Sequence, residues 1–275
     1  MEKVKKYFKN LYEIIVTPSM SYLPGNIAFY LVLSIFPILT LIGVIASKFY
    51  ININSLVSII NTTLPKNIAD VLDTYIQGKG FDTNIGIFMI IGFFLASNGA
   101  SAIIMASNNL YGFPNSNYLK RRIKAVFMII LLILLFIFML GFLAFGNTLL
   151  KFILSYLPDK KLVDLIYELF VILKWPFSLL VIFFNVKLIY TIAPDWKIIS
   201  KHTTKGALFT TISWIIVVEI YSFWVTHFSN YDLFYGSLSN IVILMLITYF
   251  ISYILVIGIA INVKSYEYKI EDWLE

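Results

Sequence analysis

Glu219 lies inside the apolar run GALFTTISWIIVVEIYSFWV, residues 206–225, where a carboxylate is out of place. Near the centre of a membrane helix such a group costs about 2.5–3.5 kcal/mol on insertion scales. It should therefore face neighbouring helices, sit in a hydrated cavity, or carry a proton. Ser222 and Thr226 follow at i+3 and i+7, on the same face of a helix. One reading of this group is a substrate or proton site. The other is a protonated Glu hydrogen-bonded to an adjacent helix.

Two more polar stripes interrupt apolar runs. Ser97, Asn98, Ser101, Ser107, Asn108 and Asn109 fall in one half of the run 85–107 and just beyond it, beside a small-residue row of Gly92, Ala96 and Ala100. Small residues let helix backbones approach, and Asn side chains hydrogen-bond across helices, so packing is favoured over a ligand site. Asn26, Tyr30 and Ser34 recur every four residues, and Pro37 follows. Pro37 removes a backbone hydrogen bond and should kink the helix near Leu33. A kinked polar stripe suits the lining of a cavity as well as a bundle core.

Signals of covalent chemistry are sparse. The two histidines, His202 and His227, fall at opposite ends of one apolar run and cannot share a metal ion. HExxH, GxSxG, P-loop and GxGxxG patterns are absent. The chain has no Cys, which removes disulfides, thiolate zinc sites and cysteine nucleophiles. The sequence is therefore read as a non-enzyme that needs no metal or other cofactor.

The elements that must position these residues follow from composition. Of 275 residues, 60% are hydrophobic and 13% charged, with a mean hydropathy of +0.86. Soluble domains carry about 25% charged residues, so this chain cannot cover its surface in water. A bilayer core needs about 20 apolar residues per helix. Six runs come near that length: 26–47, 85–107, 125–150, 170–192, 206–228 and 238–263. Lys174 and Pro176 interrupt the fourth, so that span should open near Trp175, with Lys174 reaching for the interface. The expected fold is all-α: a polytopic membrane protein with about six transmembrane helices and short amphipathic interfacial helices.

Residues 1–25 read as a cytoplasmic amphipathic segment, 26–263 as one six-helix bundle and 264–275 as a cytoplasmic tail. No signal peptide is evident; Val4, Tyr7, Phe8, Leu11 and Ile15 form an apolar stripe beside Lys3, Lys5, Lys6 and Lys9. Between the first two runs, stripes before and after Pro65 predict two short amphipathic helices on the outer surface. The segment 161–173 is a candidate third. Among the 21 Lys and Arg residues, those in loops on the side of the termini outnumber the others two to one. The positive-inside rule then places both termini in the cytoplasm. The same scatter of charge argues against nucleic acid as a partner, which needs basic residues clustered on one soluble face.

Several pieces, in order, resemble the YihY/BrkB family of bacterial inner-membrane proteins. They are AFYLVLSIFP (28–37), ASNNLYG (106–112) followed by KRR (120–122), LIYTIAPDWK (188–197), KGALFTTISW (205–214), YGSLSNIVILM (235–245) and GIAIN (258–262). Tyr235, Gly236 and Asn262 are the family-motif residues in the last two. The resemblance implies a six-helix bundle with both termini cytoplasmic. It carries an old ribonuclease BN label regarded as mistaken, links to envelope integrity, and suggested roles in moving lipids or envelope precursors. It implies no catalytic residues, and Glu219 is not part of its pattern.

The expected function is handling of an amphiphilic envelope component, such as a lipid or lipid-linked precursor, in the bacterial plasma membrane. Membrane lipids are the expected partners. Asn26, Tyr30, Ser34, Pro37, Asn98, Ser101, Glu219 and Ser222 are the candidate intramembrane polar site. The competing expectation is a scaffold that organises other envelope proteins and uses these residues only for packing.

Overall fold

The computed structural model describes residues 12, 16–34, 85–156, 160–227 and 235–274. Among the described residues, six helices lie on the six apolar runs, the first described only to residue 34. They are α1 (residues 23–34, to the limit of description), α2 (Ile85–Tyr111), α3 (Tyr118–Leu154), α4 (Lys160–Ile192), α5 (Thr204–His227) and α6 (Ser239–Leu274). No strand occurs among the described residues. In hydrocarbon every backbone N–H and C=O must be satisfied within the chain, which a helix does by itself. The N-terminal stripe, Pro37 and the two outer amphipathic helices lie outside the described residues.

Three windows, Trp175–Ile192, Thr204–His227 and Ile241–Tyr266, are long and apolar enough to cross a membrane among the described residues. The first of these windows lies in the C-terminal half of α4. The segment 161–173 is not a separate helix: α4 is continuous from Lys160 to Ile192, with Pro176 inside it. Proline removes one hydrogen bond, yet no glycine or second proline joins it to stop the helix.

The helices alternate in direction. The end of α2, the start of α3, the end of α4, the start of α5 and the C-terminal part of α6 meet at one end of the bundle. Lys120, Arg121, Arg122, Lys124, Lys197, Lys201 and Lys205 also gather there, and we call it the basic end. Around the bundle α2 packs on α3, α3 on α4, α4 on α5, α5 on α6 and α6 back on α2. Residues 254–263 of α6 are all buried, consistent with a helix that is apolar on every side and lies within a bundle.

A ladder of side-chain bonds zips α5 to α6. The Gly206 N–H donates to Asn262 Oδ1 at 2.8 Å, Trp214 Nε1 to the Ile251 carbonyl at 2.9 Å, and the Tyr221 hydroxyl to the Ile243 carbonyl at 2.8 Å. Partner numbers fall on α6 as they rise on α5, the register of an antiparallel pair. Tyr190 of α4 joins the ladder, 2.6 Å from Thr210 Oγ1 and donating to the Leu255 carbonyl at 2.9 Å. A Cβ on Gly206 would strike the Gly258 carbonyl, and one on Gly258 would strike Thr210 and Tyr190. Glycine is required at both positions because the backbones meet there.

Candidate functional site

At the basic end, a polar knot ties three elements together. α2 stops because Gly112 takes φ +70°, which sends the Phe113 N–H back to the Asn108 carbonyl at 2.8 Å and the Gly112 N–H to Asn109 at 3.2 Å. This turn holds the Asn108 side chain inside the protein, fully buried. Asn108 Nδ2 donates to Asp195 Oδ2 at 2.6 Å and to Asn115 Oδ1 at 3.0 Å, while Asn108 Oδ1 accepts the Asp195 N–H at 2.8 Å. The Ser116 N–H adds a bond to the carboxylate at 3.0 Å.

Lys124, on the first turns of α3, completes the knot. Its ammonium donates to Asp195 Oδ1 at 2.9 Å and to the carbonyls of Ala193 and Pro194 at 2.8 and 2.6 Å. A cation at the carbonyl-rich end of α4 also complements that helix's dipole. Burial opposes ionisation of Asp195. The Ser116 N–H, the Lys124 ammonium and the Asn108 amide outweigh it and hold the carboxyl at about 2. Burial pushes the Lys124 ammonium down, against the pull of Asp195.

Next to the knot lies an aromatic group. Tyr111 stacks on Phe113, Phe113 on Trp196, and Tyr266 meets both Tyr111 and His202 edge to face. Burial pushes the Tyr111 phenol up, so it stays neutral. Trp196 remains exposed, as an interface anchor does.

The loop that carries Asp195 also borders a groove. Between α3 and α4 a cavity of about 480 Å³ is walled by Leu135, Phe177, Leu180, Val181, Phe184 and Leu188. Asn185, Lys187, Thr191 and Ser200 supply its polar groups, all toward the basic end. The Lys187 ammonium stands 5.9 Å from the centre of the Phe183 ring. This volume falls within the roughly 300–1,000 Å³ of ligand pockets.

The residues singled out from the sequence are dispersed. Asn98 accepts a hydrogen bond from Arg122 of α3, whose other guanidinium nitrogen reaches the Phe94 carbonyl at 2.9 Å and whose plane lies 3.7 Å over the Phe94 ring. Ser34 is buried and bonds within its own helix to Leu31, while Tyr30 is half-buried and Asn26 exposed. Ser101 and Ser222 are half-buried. Glu219 points outward on α5, on a face shared with Ile212, Ile216, Ile220 and Phe223, whereas Tyr221 and Val225 point inward. Gly236 turns the chain into α6 at φ +52°, beside an exposed Tyr235. Of this set, Asn262 and Ser34 are buried, and Asn262 joins the α5–α6 ladder. The sequence reading missed Asp195 and counted Lys124 and Lys187 only as topology charges; Lys124 is set apart by its ion pair with Asp195, and Lys187 by its place in the groove wall.

Four of the family-like pieces meet in the half of the bundle toward the basic end. ASNNLYG supplies Asn108, LIYTIAPDWK supplies Tyr190 and Asp195, KGALFTTISW supplies Gly206 and Thr210, and GIAIN supplies Gly258 and Asn262. The sequence pattern described as Virulence factor BrkB matches residues 16–273. The chain belongs to the BrkB family. Within curated proteins it is 26% identical over 249 residues to the "Putative ribonuclease-like protein YfkH" of Bacillus subtilis (strain 168), covering 89% of this chain and 90% of that one. A "UPF0761 membrane protein" of Vibrio campbellii is 28% identical over 255 residues, 86% of this chain and 75% of that one. One from Vibrio vulnificus (strain YJ016) is 27% identical over 254 residues, with the same coverage. No solved structure matches. BrkB membership agrees with the apolar helices in assigning the chain to a membrane.

Proposed function

We propose that this BrkB-family protein binds and moves an amphiphilic envelope component, a lipid or lipid-linked precursor, in the bacterial plasma membrane. Both termini then lie on the cytoplasmic side, with the basic end at the inner leaflet. The observation that carries the reading is the α3–α4 groove. Its wall is apolar along Phe177, Leu180, Val181 and Phe184 and turns polar only near Lys187 and Ser200. That division matches a molecule with a tail and a head. The knot at Asp195 and the α5–α6 ladder supply a rigid frame beside it.

No bond-making step is proposed. The nuclease in the name of the Bacillus relative describes that protein; here the buried carboxylate, Asp195, is engaged by Lys124, Asn108 and Ser116. Reconstitution with fluorescent lipids and a leaflet-accessibility assay tests the reading. Faster transbilayer movement than in protein-free vesicles supports it, and no acceleration for any native lipid ends it.

The scaffold reading is favoured by one observation, the contact of Asn98 with Arg122, which makes a candidate site residue a packing group. Replacing Asn98 by Leu and Glu219 by Gln separates the two readings. Activity lost only in step with folded protein speaks for the scaffold.

A further inference from the structure

We propose that the α3–α4 groove holds one phosphate-bearing lipid of the leaflet at the basic end, its phosphate on Lys187 and an acyl chain along Leu180, Val181 and Phe184. The inference rests on the amphiphile reading above and names its ligand class.

The first argument is charge. Lys187 lies five residues inside the end of α4, half-buried where the apolar wall gives way to Asn185, Thr191 and Ser200, with the Phe183 ring as its neighbour. An ammonium at such a place is costly unless an anion meets it. Among the described side chains, Asp195 is the only carboxylate at this end, and it is already committed to Lys124. Among the described residues, Lys187 is therefore the cation lining the groove that no carboxylate meets. Ser200, exposed at the groove mouth, offers a hydroxyl beside it.

The second argument is length. From Lys187 to Phe177 the wall runs ten residues along one helix, about 15 Å at 1.5 Å per residue. Half of a bilayer's hydrocarbon is about 15 Å thick, so the groove reaches from head-group level to near the midplane. A free phosphate would meet Lys187 but leave the apolar wall unfilled. A lipid uses both. Lys197, Lys201 and Lys205 are exposed on the adjoining loop and the start of α5, and they bias the surroundings toward anionic lipids.

The test uses the full-length protein reconstituted in vesicles of equal parts phosphatidylcholine and phosphatidylglycerol, re-extracted and weighed with its bound lipid by native mass spectrometry. Wild type is expected to retain phosphatidylglycerol preferentially. Lys187→Gln should lower that preference about tenfold and Lys187→Arg should keep it, in line with a hydrogen bond to a charged group. Leu180→Trp, at an exposed wall position, should expel lipid of both kinds. Phe184→Trp serves if that variant does not fold.

An unchanged preference in Lys187→Gln, with lipid lost from Leu180→Trp, overturns the head-group assignment and leaves the amphiphile reading standing. Full lipid retention in a folded groove-filling variant overturns both. Displacement of the lipid by soluble glycerol phosphate would show that the site takes free phosphates instead, and overturns the lipid.

Discussion

Lys124 and Asp195 meet at 2.9 Å although 71 residues separate them, and the same ammonium also grips the carbonyls of Ala193 and Pro194. One side chain thereby clamps the start of α3 to the end of α4 and to the loop that borders the groove. Removing one member of a buried pair leaves the other uncompensated, at a cost of about 3–5 kcal/mol. The Lys124 side chain keeps 21% of its surface exposed, which moves the expectation to the low end. Asp195→Ala should lower unfolding free energy in detergent by about 2–3 kcal/mol. Adding Lys124→Met should recover part of the loss in a double-mutant cycle.

Acid should release the same clamp. The folded carboxyl sits at about 2 against an ordinary 3.8, so its contribution is complete above about pH 4 and disappears as pH falls toward 2. A shift of that size is worth about 2 kcal/mol. Chemical unfolding between pH 5 and pH 2 should show this slope in the wild type and a flatter one in Asp195→Asn. Equal slopes in the two proteins would remove Asp195 from the account.

Glycine packing gives a sharper contrast. Gly258→Ala places a methyl group against Tyr190 and Thr210, and Gly206→Ala places one against the Gly258 carbonyl. Overpacking costs about 1–3 kcal/mol or more where backbone must shift. Gly25 has open space around it, so Gly25→Ala should leave thermal stability unchanged. Fluorescence-detected size exclusion after heating ranks all three. A Gly258→Ala protein as stable as Gly25→Ala contradicts the close approach of α5 and α6.

Trp214→Phe keeps an aromatic ring, smaller than the indole, and loses the bond to the Ile251 carbonyl. Side-chain hydrogen bonds inside membranes average about 0.6 kcal/mol, so a small loss of stability is expected. A loss above about 2 kcal/mol, measured by unfolding in mixed micelles, would mean that the indole does more than join the ladder.

Because the chain has no Cys, single cysteines report orientation without background. A membrane-impermeant maleimide should label Tyr156→Cys in intact cells and Lys197→Cys only after permeabilisation. The reverse pattern inverts the proposed topology.

How far the molecule could be read in advance depended on whether a feature is local. Apolar length is local, so the described helices appear where the runs lie. The pairing of Asn108 with Asp195 spans 87 residues and leaves no periodic trace. Asn98 stood out as a polar residue in an apolar run, but Arg122, its partner, looked like one more topology charge. Glu219 stood out by rarity alone, which says what a residue costs and not which way it points. The groove was hidden because its wall is made of the same Leu, Val and Phe that define an ordinary span.

The continuous α4 is 33 residues, about 50 Å, against a hydrocarbon slab of about 30 Å. Roughly 20 Å of it must stand clear of the lipid, as a mast carrying Leu162, Leu165 and Leu169 on its exposed surface. Pro176 is the weak point in the hydrogen-bonding of this rod, and it lies between the mast and the Lys187 region. Pro176 thus stands where the outer arm of α4 meets the part that walls the groove.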